Sequence, residues 1–269
     1  MNKIILETDK LIDNTDKNIN CTYNVNSIFD VNTLIIDVNA NTNLEIYYNF
    51  PKLTKTEITI NVKKGVKLNI FETINGTEAK IKTIYNLETE ATVNTYKFND
   101  IEQIREYVIV YLNGKYAQIN YNLKTIAINK EKYDMLIYHN DSDTNSKVVN
   151  NGVNIKDGNI SINVSSFVKK GNKNCNANQN NRIINLTNNK CTIKPNLYID
   201  EYDVSANHSA LIGNFSKEEL FYLMSRGINK EESIKLLIKG FLMNNLDIEE
   251  EQKQKIENII SKYWRWYIE

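Results

Sequence analysis

The sequence predicts a mainly β chain with an α-helical C-terminal tail, and three observations carry that prediction. Apolar residues recur with a period of two from about residue 20 to residue 213. Turn residues interrupt the alternation at short, roughly even intervals. From residue 216 onward the period becomes that of an amphipathic helix. The β body is therefore assigned to residues 1–214, including a short N-terminal lead-in, and a helical subdomain to residues 215–269.

Within the body, Ile58, Ile60 and Val62 alternate with polar neighbours, as do Val66, Leu68 and Ile70. Ile119, Tyr121 and Leu123 repeat the pattern, and so do Ile160, Ile162 and Val164. Each run reads as a strand with one buried face. Turns are expected at Gly65, Asn75–Gly76, Asn113–Gly114, Asn151–Gly152 and Asp157–Gly158. Many short strands are compatible with a sandwich, a barrel or a parallel β-helix. The span is long for one sandwich. It is comfortable for a solenoid in which each coil adds three short strands and covers its neighbour.

In the tail, Ser216-Lys217-Glu218-Glu219 reads as a capping box, and Gly227 suits a left-handed cap at the end of the same helix. A second helix starts at Asn229, with an apolar stripe of Ile234, Leu237, Ile238, Phe241 and Leu242. A third starts near Asp247, with Ile256, Ile259, Ile260, Tyr263, Trp264 and Tyr267 on one face. Such stripes either pack on their own body or dock into a partner groove.

The 269 residues carry 33 basic and 33 acidic side chains, and a net charge of zero argues against a nucleic-acid or membrane-surface partner. The opening apolar run, Ile4-Ile5-Leu6, is far shorter than a signal-peptide core, so a cytoplasmic protein is expected. Asparagine occurs 44 times and arginine only at 105, 182, 226 and 265, a composition that fits AT-biased coding displayed on tolerant turns and ladders. Three cysteines and two histidines are too few for a complete zinc or iron–sulfur site within the chain. P-loop, nucleophile-elbow and HExxH motifs are absent from the sequence. Cys21, Cys175 and Cys191 are expected to be free; the last two read as small buried residues or spare sulfur ligands. His139 is expected in a loop, and His208, between Asn207 and Ser209, taken alone reads as a polar surface residue.

The segment from Pro195 to Gly213, with Asp200-Glu201-Tyr202-Asp203-Val204 followed by His208-Ser209-Ala210-Leu211-Ile212-Gly213, resembles the signature of the SufB/SufD family. Leu220-Phe221-Tyr222-Leu223-Met224-Ser225-Arg226-Gly227-Ile228 follows it as it does in that family. Leu236-Leu237-Ile238 and Gly240-Phe241 recur further on, and Gln179-Asn180-Asn181-Arg182 stands upstream. The ordered set covers residues 179–242; residues 25–175 are similar to the family only in style.

The resemblance implies a right-handed parallel β-helix followed by C-terminal helices. It also implies a non-enzymatic subunit of the SUF iron–sulfur cluster assembly system. Such a subunit pairs with a SufB-like chain, or with a second copy of itself. It docks SufC, an ABC-type ATPase, through the helices. At least one helix should then face a partner, with Phe221, Tyr222, Arg226, Gly227, Leu237 and Phe241 as the contact residues. Arg226 could instead bond the last carbonyls of its own helix.

The position of the SufB catalytic cysteine is Ile199 here, and an acidic residue after the SufB histidine is Ser209, which points to a SufD-like member. His208 matches the histidine implicated in cluster assembly at the subunit interface. One imidazole cannot hold a cluster, so the remaining ligands are expected from the partner. No cofactor is expected to stay with this chain alone; a cluster would be transient cargo. Ala206, Ser209 and Leu211 depart from the family pattern, and the N-terminal helical region common in the family is expected to be missing. The rival reading is a stand-alone β-solenoid binding module or a carbohydrate-active β-helix protein.

Overall fold

The computed structural model describes residues 2–26, 31–244 and 246–268, with side chains through 264. Two ladders of strands form the body. The first runs through β1 (Asn2–Glu7), β5 (Thr42–Phe50), the first half of β7 (Lys67–Leu87) and the first half of β8 (Thr92–Leu112). It continues through β9 (Gln118–Ala127), β11 (Asn145–Asn154), β13 (Cys175–Asn185) and β15 (Val204–Gly213), every step parallel. The second runs through β4 (Val31–Val38), β6 (Thr54–Val62), the second halves of β7 and β8, β10 (Lys130–His139), β12 (Asn159–Val168) and β14 (Thr192–Ile199).

The chain winds through both ladders about seven times, so the body is a β-solenoid. Each coil supplies two strands where three were expected. In the middle of the body even the corner between the two ladders is only a bend inside one long strand. In β7 that bend lies at Asn75–Gly76, where a Cβ on Gly76 would sit 2.1 Å from the Phe50 carbonyl oxygen. The other exception to the turn assignments is Asn151–Gly152, which lies inside β11. Pairing with β9 on one side and β13 on the other overrides its turn propensity.

The coil repeat is 25 residues where Thr56 pairs with Ile81 and Ile81 with Glu106. It lengthens to 31 where Asn145 pairs with Asn176, which is why internal repetition is faint in the sequence.

Alternate residues point inward, and Ile58, Ile60, Val62, Leu68, Ile70, Ile119, Tyr121, Leu123, Ile160, Ile162 and Val164 share one core. Charge is also buried there. Lys97 lies 3.2 Å from Glu72 and bonds Glu106, all with side chains at zero exposure. Burial opposes the Lys97 charge, but Glu106 and Glu72 outweigh it and hold the ammonium protonated. Deeper along, Glu131 accepts from Thr125 (2.7 Å) and Tyr133 (2.8 Å), and burial pushes its carboxyl up to about 7.

The outer faces explain part of the asparagine excess. Asn120, Asn94, Asn69 and Asn43 form a column in which each amide donates to the next at 2.8 Å. Another runs from Asn86 through Asn61 to Asp37. On the second face Tyr111, Tyr138, Phe167 and Tyr198 stack at 5.2, 4.9 and 4.8 Å, the spacing of the strands that carry them.

The two ends differ. At the N-terminal end the lead-in contributes β2 (Leu11–Asn14), antiparallel to β1, and β3 (Ile19–Asn26), antiparallel to β4. Leu11, Cys21 and Tyr23 pack there against the core. At the C-terminal end β14 pairs only with β12 and β15 only with β13. Three helices follow: α1 (Lys217–Ser225), α2 (Lys230–Met243) and α3 (Glu250–Ile268). No described helix is long and apolar enough to cross a membrane.

Candidate functional site at the open end of the solenoid

The register of the last coil decides what it presents. β15 pairs Ala177 with Ala206, Gln179 with His208, Asn181 with Ala210 and Ile183 with Ile212. Cys175, Ala177, Gln179, Asn181 and Ile183 are buried, so they define the inward column of β13. His208 therefore stands in a core-facing column, yet it is exposed because no further coil covers it. Across the lumen, Ile193, Pro195, Leu197 and Ile199 continue the inward column of β12 in the same way. The end of the solenoid is thus an uncovered cross-section of core, with one imidazole among apolar side chains. Pro195, which has no N–H to donate, fits a strand with an unpaired edge.

Beneath His208, the Gln-x-Asn-Arg segment has three distinct tasks. Gln179 donates to Ser166 Oγ (2.9 Å) and to the Asn196 carbonyl (3.1 Å), joining the two faces across the lumen. Asn181 accepts from Asn150 at 2.7 Å, linking successive coils. Arg182 faces outward, its guanidinium 5.4 Å from the centre of the Phe241 ring. Period two alone places Gln179 and Asn181 on the inward side with Cys175 and Ala177; their polarity hid that in the sequence.

The other candidates sit elsewhere. His139 is not in a loop: it ends β10, is 1% exposed, and bonds Thr144 Oγ1 (2.8 Å) and Ser146 Oγ (2.9 Å). Burial lowers it to about 4, so it is a neutral structural residue. Parallel pairing with β8 and β12 extends that strand through Tyr138-His139. The three cysteines are free. Cys175 Sγ lies 3.2 Å from Thr144 Oγ1 and 3.3 Å from the carbonyls of Asp141 and Asn172. Cys191 is in the main core, and Cys21, in the N-terminal cap, has its thiol pushed up to about 12 by burial. Among the described residues no three His, Cys, Asp or Glu side chains converge as metal ligands.

The helices divide into two kinds. α2 and α3 lie against the outer face of the first ladder. Ile238, Leu242, Ile256, Ile260, Tyr263 and Trp264 share a cluster with Phe71, Phe98, Ile126, Val153, Ile155 and Ile184 of the body. Phe241 joins that cluster, and its carbonyl accepts from Asn151 (3.1 Å). Leu237 is half-buried. The N-terminal part of α3 is tied to the early coils by Gln252 on Glu45 (2.8 Å), and its C-terminal part by Lys262 on Asp100 (2.8 Å). Beneath this layer Lys124 is buried, and desolvation lowers its ammonium to about 8. Tyr267 lies beyond the described side chains.

α1 buries none of its residues. Its start is the expected capping box, with Glu219 N donating to Ser216 Oγ (3.0 Å) and Ser216 N donating to Glu219 (2.9 Å). Its end is a Schellman turn: Gly227 N donates to Met224 O, Ile228 N to Leu223 O, and Gly227 adopts φ +86°. Arg226 rests over the Tyr222 ring at 5.4 Å and is exposed. Phe221 is 74% exposed, and Tyr222 and Met224 are also exposed. Apolar groups of that size on a capped helix form a ready contact surface.

A family model described as "SUF system FeS cluster assembly, SufBD core domain" matches residues 21–241. The iron–sulfur cluster assembly protein SufD of Bacillus subtilis is 31% identical over 233 residues, which are 76% of this chain and 52% of that protein. An iron–sulfur cluster assembly SufBD family protein of Pyrococcus horikoshii is 46% identical over 63 residues, 23% of this chain and 14% of that one. SufB of Bacillus subtilis is 45% identical over 40 residues, 15% of this chain and 9% of that one. The chain thus spans about half the length of its SufD relative. The solenoid, its helices and these matches agree: the chain belongs to the SufBD core family of SUF iron–sulfur cluster assembly proteins.

Proposed function

We propose that this chain is a SufD-like scaffold subunit that pairs with a SufB-like subunit through the open end of its solenoid. It docks a SufC-like ABC ATPase through its C-terminal helices, with α1 foremost. The observation that carries this reading is the exposed last coil. There His208 stands exposed in a core-facing column, and the outer edges of the parallel strands β14 and β15 are unpaired. Unpaired edges recruit further strands.

The chain has no active site of its own in this reading; ATP hydrolysis belongs to SufC, and the work is done in the cytoplasm. The iron–sulfur cluster is cargo, built where His208 meets ligands supplied by the partner, a cysteine of the SufB-like chain foremost. A neutral imidazole suits iron, a borderline metal.

Co-purification with SufB- and SufC-like chains tests the reading. Association at micromolar concentration is expected, and its absence for both would sink it. Phe221→Ala with Tyr222→Ala should release the ATPase and keep the SufB-like chain; Leu197→Asp should do the reverse. A second copy is the competing occupant of the open end, which a solution mass of twice the monomer in the presence of the SufB-like chain would establish. His208→Ala should leave the complex intact and cut cluster yield; an unchanged yield removes His208 from the assembly step.

A further inference from the structure

We propose that Gln179 is a positioning residue for His208: its side-chain carbonyl accepts a hydrogen bond from one imidazole nitrogen and so decides which nitrogen keeps a free lone pair. Gln179 is 3% exposed, and its Oε1 is buried without a partner. The amide cannot be turned over to satisfy it. Nε2 faces the Asn196 carbonyl at 3.1 Å, and a carbonyl only accepts, so the oxygen must be the atom left over. A buried acceptor in that state has given up hydration with nothing in exchange, and the column offers little to relieve it. Beneath Gln179 in register is Val148, an apolar side chain at 1% exposure. Above it in register is the exposed His208, whose ring does not bond the oxygen as it stands and needs a side-chain rotation to do so. Adjacent parallel strands lie about 4.8 Å apart, a gap that an imidazole and a glutamine side chain span together. Ser166 and Asn196 hold the amide in place, so the acceptor is fixed before any partner arrives. A hydrogen bond to one ring nitrogen sets the tautomer and orients the other for a ligand.

The link to cluster assembly rests on the function proposed above; the hydrogen bond does not. The chain has two histidines, so imidazole 15N signals can be assigned without ambiguity. At one alkaline pH, the full chain should show His208 as a single tautomer, with one pyrrole-like and one pyridine-like nitrogen. Gln179→Met should collapse them toward the averaged values of a free imidazole, while the His139 signals stay put and report an intact fold. Ser166→Ala, which removes one anchor and keeps the acceptor, should fall between. Averaged His208 signals in the unmodified chain, or no change in Gln179→Met, would overturn the hydrogen bond. In the assembled complex Gln179→Met should lower cluster yield about 10-fold, the scale of lost outer-partner support at metal sites. A tautomer change with unchanged yield would overturn the positioning role and leave the hydrogen bond standing.

Discussion

The two ends of the solenoid are made from strands of the same alternation and stop in different ways. At the N-terminal end the inward column of β4, with Leu34, Ile36 and Val38, is fully buried, because β3 folds back antiparallel over its edge. At the C-terminal end β15 lies in the same way over β13, whose inward Cys175, Ala177 and Ile183 are buried, and β15 itself leaves Ile212 44% exposed. A stacked repeat needs a cap wherever stacking stops. One end supplies its own by reversing strand direction. The other end keeps its alternation and its parallel direction, with His208 and Ile212 exposed in the inward column of the last strand.

Three experiments act on that contrast, from the largest expected effect to the smallest. Ile36→Ala should destabilise the isolated chain by about 2–5 kcal/mol, since it opens a cavity beneath the antiparallel strand β3. Ile212→Ala should cost under about 0.5 kcal/mol in the same urea titration, as surface changes do. Equal losses at both ends would erase the distinction.

The middle coils give the second test. Burial raises Glu131 from the ordinary carboxyl value to about 7, with Thr125, Tyr133, Asn99, Glu106 and Tyr263 as the polar groups around it. The folded chain thus holds this proton more tightly than the unfolded one does. Stability from that site is complete below about pH 4.5 and is lost as pH rises through about 7, a change on the order of 3 kcal/mol. Glu131→Gln should flatten that part of the stability–pH curve; an unchanged slope would place the titration elsewhere.

Third, Ser216→Ala should weaken α1 by about 1 kcal/mol. Amide exchange should quicken within α1 while the global transition stays put, because the helix buries nothing. A shift of the whole transition would mean that α1 is part of the cooperative core.

Much of this was legible in the sequence. Ile58, Ile60 and Val62 follow the period of two into the core, and Ser216 and Gly227 bracket α1 by local hydrogen bonds alone. The register was not legible. Nothing local says that Gln179 lies under His208, or that Asn151–Gly152 runs on as strand, since both depend on pairings with neighbouring coils. The division of labour in the tail was equally hidden. All three helices carry apolar residues, and only packing shows that α2 and α3 cover Phe71, Phe98 and Ile126 while α1 keeps Phe221 and Tyr222 in solvent. Removing the entire tail would therefore strip a buried face from the body; side-chain changes on α1 test docking more cleanly.

By itself the sequence determined the alternation of strands, the position of the first helix and its caps, and the residues that carry the family signature. These rest on interactions within a few residues, which a linear chain records directly. Only the tertiary structure decided that each coil has two strands, that His139 is sealed while His208 is bare, and that one end stops in antiparallel strands and the other in parallel ones. Those outcomes depend on which strand lies next to which, and burial is a property of neighbours 25 to 31 residues away along the chain.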